Sequence, residues 1–275
     1  MEYLNLNYLE KTDLNGLMNN DNSYKKYVAR KIVKNKKINT DGWILSNKLI
    51  KADLIKKKEI VIKISKRKEL LEKDYSISIK LEELKCINFA KYLGFFSCKD
   101  DIDNYNSDKP LPKYFCKNNG TINYFLFMNY YSLGSIVKYI PQNIDEIISI
   151  INQVLASMIL AYEKLGFIHG DLHPGNILCK NTKKPSIKYL FNNGNKEINT
   201  DGIQIIIFDF DRSNFSGDFA RLLNELSTFI NLYESYLIEK NLFQTNNISV
   251  TPLRNLKREF YKVTDINKLK ELIGN

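Results

Sequence analysis

Both histidines of the chain, His169 and His173, lie in one short segment, GFIHGDLHPGNILC at 166–179. The same segment carries a carboxylate, Asp171, and an amide, Asn176. A carboxylate held beside a substrate can accept the proton of a hydroxyl group, so Asp171 is a candidate general base. The amide oxygen of Asn176 can return to the same cavity as a magnesium ligand, since magnesium prefers hard oxygen ligands.

A second carboxylate, Asp209, directly follows a buried-type strand predicted at 203–208. One carboxylate and one amide suit magnesium, which takes few ligands from proteins. The pattern His-x-Asp-(x)4-Asn, followed by an aspartate after a buried strand, is typical of phosphoryl transfer from ATP. The sequence therefore predicts ATP and Mg²⁺ as cofactors, with Asn176 and Asp209 as the metal ligands.

A lysine, Lys63, stands inside the apolar run VIKI. A buried ammonium is costly unless it is paired, and nucleotide phosphates together with an acidic residue on the next helix would pair it. Asp74 is the expected partner because it lies on the apolar stripe of that helix, which is marked by Leu70, Ile77, Leu81 and Leu84. Glu72 lies about 200° away around the helix and is the alternative partner if the helix has another phase.

Strand-like runs dominate the first half of the chain. We expect a polar N-terminal extension at 1–40, partly helical around 24–34, followed by a hairpin whose two strands are joined by the lysine-rich stretch 51–58. The predicted strands of this half are 43–50, 59–64, 91–98 and 123–128.

Helical periodicity dominates the second half. The apolar residues of 144–165 trace a long amphipathic helix that Asn143 or Asp145 can cap and that Gly166 ends. Another helix is predicted at 219–233. Strands first and helices afterwards predict an α+β fold.

Composition limits the class of protein. The chain has 275 residues, of which 44% are hydrophobic and 26% charged, as in globular proteins that bury a core. The net charge of +10 attracts anionic partners, but no nucleic-acid-binding motif interleaves aromatic residues with the lysines, so nucleic acid is not expected to bind. The sequence contains no run of about 18 apolar residues, so a membrane span is not expected. The scattered cysteines and the polar start predict an intracellular protein, in the cytoplasm or nucleus, or in the host cell or virion if it is viral.

These motifs resemble those of the eukaryotic-type protein kinase superfamily. The resemblance rests on VIKI, FMNYYSLGS, HGDLHPGN and IIIFDFD. It is greatest to the haspin-like branch and to kinases of large DNA viruses, because of the Asp-Leu-His-x-Gly-Asn loop, the insertion at 180–202 and the missing Ala-Pro-Glu motif. It implies a bilobal fold, with a small antiparallel-sheet N-lobe carrying one helix at 41–129 and a mainly helical C-lobe at 130–275.

The resemblance also implies an activity, that of a serine/threonine protein kinase, and a place for the nucleotide. Lys63 would bind the phosphates and take part in catalysis with Asp171 as the base. Met128 resembles the gatekeeper residue. The hinge that faces the adenine would be formed by Asn129, Tyr130 and Tyr131.

Further roles are implied around the catalytic loop. Asp218 resembles an aspartate that braces this loop from below, and His169 resembles a histidine that supports its backbone rather than carrying a proton. For His173 two interpretations stay open. It either contacts the transferred phosphate, as a catalytic residue, or only holds the loop.

The chain departs from the kinase pattern in several places. Residues 38–50 contain a single glycine, Gly42, where kinases have a glycine-rich phosphate loop. Gly170 replaces the arginine usual before the base, and Asp211 replaces a glycine of the metal motif, where an aspartate tolerates unusual backbone angles. The segment 212–217 is too short for an activation loop, so control by loop phosphorylation is not expected.

Two other functions fit the same motifs. Small-molecule kinases of the aminoglycoside and choline type carry the HGDLHPGN pattern, but they usually have large helical insertions after the metal motif. A pseudokinase, which binds without turnover, would explain the glycine-poor loop but not the intact Lys63, Asp171, Asn176 and Asp209. We therefore expect a protein substrate. Because the chain has a net charge of +10, we expect this substrate to be acidic or of mixed charge. The sequence leaves the oligomeric state open.

Overall fold

The computed structural model describes residues 32–37, 48–54, 59–100 and 120–273. Small antiparallel sheets and several helices make the chain α+β, as the sequence predicts, and this architecture is compatible with a kinase-like fold. The bilobal kinase arrangement stays a prediction. The chain divides into two compact units: unit 1 comprises residues up to Ile79 and Lys91–Tyr130, and unit 2 comprises Lys80–Ala90 and the residues from Tyr131 onward.

Unit 1 contains five strands: β1 (Ile32–Lys37), β2 (Lys48–Leu54), β3 (Glu59–Ser65), β4 (Tyr92–Asp100) and β5 (Thr121–Asn129). They form an antiparallel sheet with the order β1-β2-β3-β5-β4. Its third strand in sequence, β3, pairs with β2 on one side and β5 on the other, so Lys63 lies opposite Leu49 and Leu126.

Helix α1 (Lys68–Glu82) follows β3 and packs on this sheet. The ring of Tyr75 stacks on Phe95 of β4 with 6.3 Å between ring centroids. The backbone N–H of Tyr92 donates to Ser78 Oγ at 3.3 Å. These contacts turn one face of α1 toward the sheet, and this face includes Asp74.

The first strands differ from the prediction. Residues 51–54, expected in the hairpin connection, continue β2, because Lys51 pairs with Val61 in the ladder with β3. Residues 32–37 form β1 against β2, where a polar extension was expected. Pairing with a later strand satisfies their backbone groups, and local polarity does not reveal such pairing. The partial helix predicted around 24–34 is wrong at 32–34, which belong to β1. Residues 24–31 of that prediction, residues 38–47 of the glycine-poor segment 38–50 and residues 43–47 of the strand predicted at 43–50 lie outside the described residues.

Helix α2 (Ile144–Leu165) is the core of unit 2, with the bounds that the sequence predicts. Asn143 Oδ1 accepts from the backbone N–H of Glu146 at 2.9 Å, and Gly166 ends the helix in the left-handed region with φ 66°. Within the described ranges, α2 is the one helix long and apolar enough to cross a membrane. However, 78% of its apolar window is buried inside the structure, as expected for a core helix.

Short strands and further helices complete unit 2. β6 (Ile177–Asn181) pairs with β9 (Ile203–Ile207), and the predicted insertion contains a hairpin of β7 (Ser186–Phe191) and β8 (Gly194–Asn199). The helices that follow are α3 (Phe219–Glu239), α4 (Leu242–Thr245), α5 (Thr251–Phe260) and α6 (Ile266–Leu272).

A buried hydrogen-bond network ties α2 to β9 and the hairpin. Gln153 Nε2 donates to the carbonyl of Ile203 at 2.8 Å, and its Oε1 accepts from the backbone N–H of Ile205 at 3.1 Å. Asn88 Nδ2 also donates to Gln153 Oε1 at 3.1 Å, and Tyr189 OH donates to Asn88 Oδ1 at 2.8 Å. Because a buried polar group left unpaired costs about 1–3 kcal/mol, the network fixes β9, the strand that leads to Asp209.

Candidate functional site

Unit 1 contains a buried ion pair between Lys63 and Asp74. The two atoms Lys63 Nζ and Asp74 Oδ2 are 2.8 Å apart, and the side chains are 7% and 0% exposed. The other candidate partner, Glu72, is 55% exposed and lies 3.6 Å from Lys68 Nζ. The helix phase that the apolar stripe predicts is therefore the observed one. A buried ion pair is often no more stabilising than apolar side chains of similar volume, so stability alone does not explain the pair.

The predicted hinge lies at the end of β5. Met128 is buried and pairs with Val61 in the ladder between β3 and β5. The Oδ1 atom of Asn129 is buried without a hydrogen-bond partner in the described part of the chain. Unit 1 ends at Tyr130, and unit 2 continues at Tyr131. Contact of these residues with an adenine ring stays a prediction.

In unit 2, the loop with the two histidines brings Asp171 and Asn176 together. Asn176 Nδ2 donates to the backbone carbonyl of Asp171 at 3.0 Å. This bond fixes the orientation of the amide, so Oδ1 is the atom left to accept from or coordinate another group. The backbone carbonyl of Asn176 accepts from the N–H of Phe208 at 3.1 Å, which couples the loop to the residue before Asp209.

His173 caps a short 3₁₀ turn at Pro174–Asn176. Its Nδ1 accepts from the backbone N–H of Gly175 at 3.1 Å. The contact is the one expected of a histidine that holds the loop. It leaves Nε2 as a donor, so contact with a phosphate stays a prediction.

Asp209 has a left-handed backbone, with φ 69°. The sequence predicted an unusual backbone at Asp211, which has no positive φ; the left-handed residue of this motif is Asp209. The chain turns here between the end of β9 and Phe210, whose fully buried ring lies against Phe167 and His169. This conformation costs an aspartate about 1–2 kcal/mol, and such strain is found preferentially at functional sites.

His169 supports the turn before Asp209. The buried imidazole places Nε2 3.0 Å from the carbonyl of Phe208, so Nε2 carries the proton and donates. Nδ1 has no partner among the described residues. Burial lowers the pKa of His169, although the carboxylates of Asp209 and Asp171 act in the opposite direction. A neutral, buried imidazole that binds backbone has the supporting role predicted from the sequence.

The bracing carboxylate is Glu225, which corrects the prediction for Asp218. Glu225 Oε2 accepts from the backbone N–H of His169 at 3.0 Å, and Oε1 accepts from the N–H of Gly170. Asp218 is exposed and instead caps α3, its Oδ1 accepting from the N–H of Arg221 at 2.7 Å. Two helical turns separate the two acids, and only the later one reaches the loop. Burial raises the pKa of Glu225.

Glu225 could have been found by the reasoning that found Asp74. It lies three residues after Leu222 and four before Phe229, at the edge of the apolar stripe of α3, where a charged side chain requires a partner. The resemblance instead implied that Asp218, at the start of the helix, is the bracing residue.

Gly170 occupies the position of the usual arginine for a steric reason. Its φ is +79°, and a Cβ atom there would overlap the carbonyl oxygen of Arg212. Arg212, which no sequence motif indicated, places Nη1 3.5 Å from Asp171 Oδ1.

Asn176 and Asp209 carry donor atoms of the kind that magnesium prefers, and a metal between them stays a prediction. Across the described ranges, no group of three or more His, Cys, Asp and Glu side chains could hold a metal ion. One amide oxygen and one carboxylate suit Mg²⁺, which keeps several waters and binds substrate phosphates. The fit comes from the chemistry of these donors and from the fixed amide of Asn176.

Comparison with known proteins supports a protein-kinase-like relationship. The chain is 39% identical over 70 residues to serine/threonine-protein kinase haspin of Mus musculus. The matched residues are 26% of this chain and 9% of that protein. It is 28% identical over 133 residues to a haspin homolog of Drosophila melanogaster, covering 44% of this chain and 24% of that protein. It is 36% identical over 86 residues to uncharacterized protein 179R of Invertebrate iridescent virus 6, and the match covers 30% of this chain and 7% of that protein. No family model matches the sequence.

Replacing Gly170 by alanine tests the steric constraint at the candidate base. Gly170→Ala should lower the free energy of unfolding by about 2–5 kcal/mol, since a left-handed backbone and overlap with Arg212 add together. Gly202→Ala is the matched control: its φ is +81°, but a Cβ there meets nothing within 4 Å. It should cost about 1 kcal/mol. Urea denaturation measures both, and equal losses would refute the constraint.

The lowered pKa of His169 predicts a pH dependence of stability. The unfolded chain binds a proton near pH 6.5, whereas the folded chain does so only at lower pH. The contribution of neutral His169 to the free energy of unfolding is therefore fully present above about pH 6.5. It is lost as the pH falls toward the folded pKa, by up to about 1.4 kcal/mol per pH unit. Thermal unfolding between about pH 8 and 5.5 measures it.

His169→Gln should flatten this slope, because glutamine can still donate to Phe208 but does not titrate. His173→Gln is the control: it leaves the buried His169 in place and should therefore leave the pH dependence of stability unchanged. Glu225 acts in the opposite sense, because its raised pKa favours the folded state at lower pH. An unchanged slope in His169→Gln would contradict the assignment.

Proposed function

We propose that the chain is a serine/threonine protein kinase that transfers the γ-phosphoryl group of ATP to a protein hydroxyl. The buried Lys63–Asp74 pair carries the proposal, because its cost is explained if Lys63 binds the α- and β-phosphates while Asp74 anchors it. The similarity to haspin kinases favours a protein acceptor.

The residues of unit 2 would supply the proton transfer. The acceptor oxygen bonds to the γ-phosphorus, the bond from phosphorus to the β,γ-bridging oxygen breaks, and ADP leaves. The hydroxyl proton passes to the carboxylate of Asp171, which is 34% exposed and therefore open to a substrate. Asn176 Oδ1 and the carboxylate of Asp209 would hold magnesium. When bound, this ion neutralises the negative charge that develops on the phosphates.

The test incubates the pure chain with labelled ATP, magnesium and a panel of proteins and small alcohols. Asp171→Asn should reduce transfer by about 10²–10⁴-fold, the contribution of a positioned proton acceptor.

Asp209→Ala should abolish transfer and also the thermal stabilisation by ATP that depends on magnesium. Asp218→Asn, which can still cap α3, is the control and should retain activity. Transfer to alcohols alone would indicate a small-molecule kinase, and binding of ATP without any transfer would indicate a pseudokinase.

A second series tests the ion pair in unit 1. Lys63→Met should cause the larger loss of turnover, because methionine fills the space without a charge for the phosphates. Asp74→Ala should cause a smaller loss, since Lys63 remains but loses its anchor. Glu72→Ala removes an exposed carboxylate of the same helix and should have little effect. A large loss in Glu72→Ala with normal turnover in Asp74→Ala would refute the assignment. Steady-state turnover of ATP distinguishes these outcomes.

A further inference from the structure

Arg212 is the cation that lies against the candidate base. Its Nη1 is 3.5 Å from Asp171 Oδ1, and its side chain is 68% exposed. An exposed ion pair at this distance contributes little to stability, and salt and water screen it. The position of Arg212 therefore needs another explanation than the stability of the fold.

The backbone holds Arg212 in this position. Ser213 Oγ donates to the carbonyl of His169 at 2.7 Å. Ile168 and Asn214 exchange two backbone hydrogen bonds of 2.9 Å each. The carbonyl of Arg212 lies against Gly170, where a side chain would not fit. The base of the Arg212 side chain is thus fixed beside the loop of Asp171, while its exposed guanidinium can exchange partners.

The contact has a consequence for catalysis. A general base must offer its carboxylate oxygen to the acceptor hydroxyl at hydrogen-bond distance. A guanidinium resting on Asp171 Oδ1 competes for that oxygen. Another anion placed beside Arg212 would remove this competition, because guanidinium binds carboxylate and phosphate groups in a bidentate manner.

We propose that Arg212 selects the acceptor by binding an anionic group next to the acceptor hydroxyl, which frees Asp171 Oδ1 to take the proton. The inference rests on the proposed kinase function and defines its substrate class as acidic peptide segments. The anionic group, a carboxylate or a phosphate, lies within about two residues of the acceptor, since an extended chain advances about 3.3 Å per residue. The net charge of +10 favours the approach of such segments.

The test uses the full chain with ATP, magnesium and serine peptides that differ at one position near the serine. That position carries glutamate, phosphoserine, glutamine or lysine. The wild-type chain should give kcat/KM values about tenfold higher for the glutamate or phosphoserine peptides than for the glutamine peptide. Arg212→Gln should lose most of this ratio, and Arg212→Glu should favour the lysine peptide. Arg254→Gln removes an exposed arginine of α5 as the matched control and should keep the ratio.

Each result decides a different point. Equal kcat/KM for the glutamate and glutamine peptides, or a ratio that persists in Arg212→Gln, overturns the inference and leaves the kinase function standing. A ratio lost equally in Arg254→Gln shows general charge attraction and also overturns it. Absence of transfer to every peptide and protein contradicts the kinase function, and this inference with it. A preference confined to glutamate or to phosphoserine supports the inference and identifies the anion.

Discussion

The carboxylate of Glu225 accepts hydrogen bonds from two successive backbone N–H groups, those of His169 and Gly170, and the candidate loop of unit 2 depends on this contact. Hydrogen bonds to an ionised acceptor are roughly twice as strong as those between neutral groups. They hold the loop to α3, and bonds from Ser213 to His169 and between Asn214 and Ile168 add to this anchoring. Asp171 follows directly and is thereby presented at a defined position, partly open to solvent.

The turn at Asp209 depends on a second set of contacts. The Gln153 network fixes β9, and His169 and Asn176 bind the two backbone groups of Phe208 at its end. The buried ring of Phe210 then holds the chain on the far side of the turn. Packing and hydrogen bonds on both sides thus offset the cost of a left-handed aspartate.

Buried polar groups in the described part of the chain differ in what their burial does. Gln153 and Asn88 are paired within the protein, and their role is to fix strands and helices to one another. Lys63 and Asp74 are paired as well, but two buried charges cost free energy that an apolar pair would not. Asn129 Oδ1 and His169 Nδ1 have no partner among the described residues. Asn152 Oδ1 and Tyr233 OH also have no partner among the described residues, and Lys270 and Glu163 form a second buried ion pair, so a buried polar group does not by itself indicate a function. Lys63, Asp74, Asn129 and His169 differ from these groups because the sequence predicts the nucleotide or the catalytic loop at their positions.

The sequence by itself determined the features that arise from local periodicity. The bounds of α2 with Gly166 at its end, and the inward position of Asp74 on α1, follow from the repeat of apolar residues and from capping chemistry. The sequence left the N-terminal cap open between Asn143 and Asp145, and the structure shows Asn143. The α+β class follows from the order of such patterns. Each of these signals is contained within about one helix or hairpin, so no knowledge of distant residues is needed.

Only the tertiary structure decided which distant residues meet. It paired β1 with β2, chose Glu225 over Asp218 as the brace, placed the left-handed backbone at Asp209 rather than Asp211, and set Arg212 beside Asp171. A resemblance in sequence indicates a role but not the side chain that reaches it. The physical reason is that each choice rests on contacts between segments far apart in the chain, where packing and backbone hydrogen bonds, rather than local preference, select the conformation.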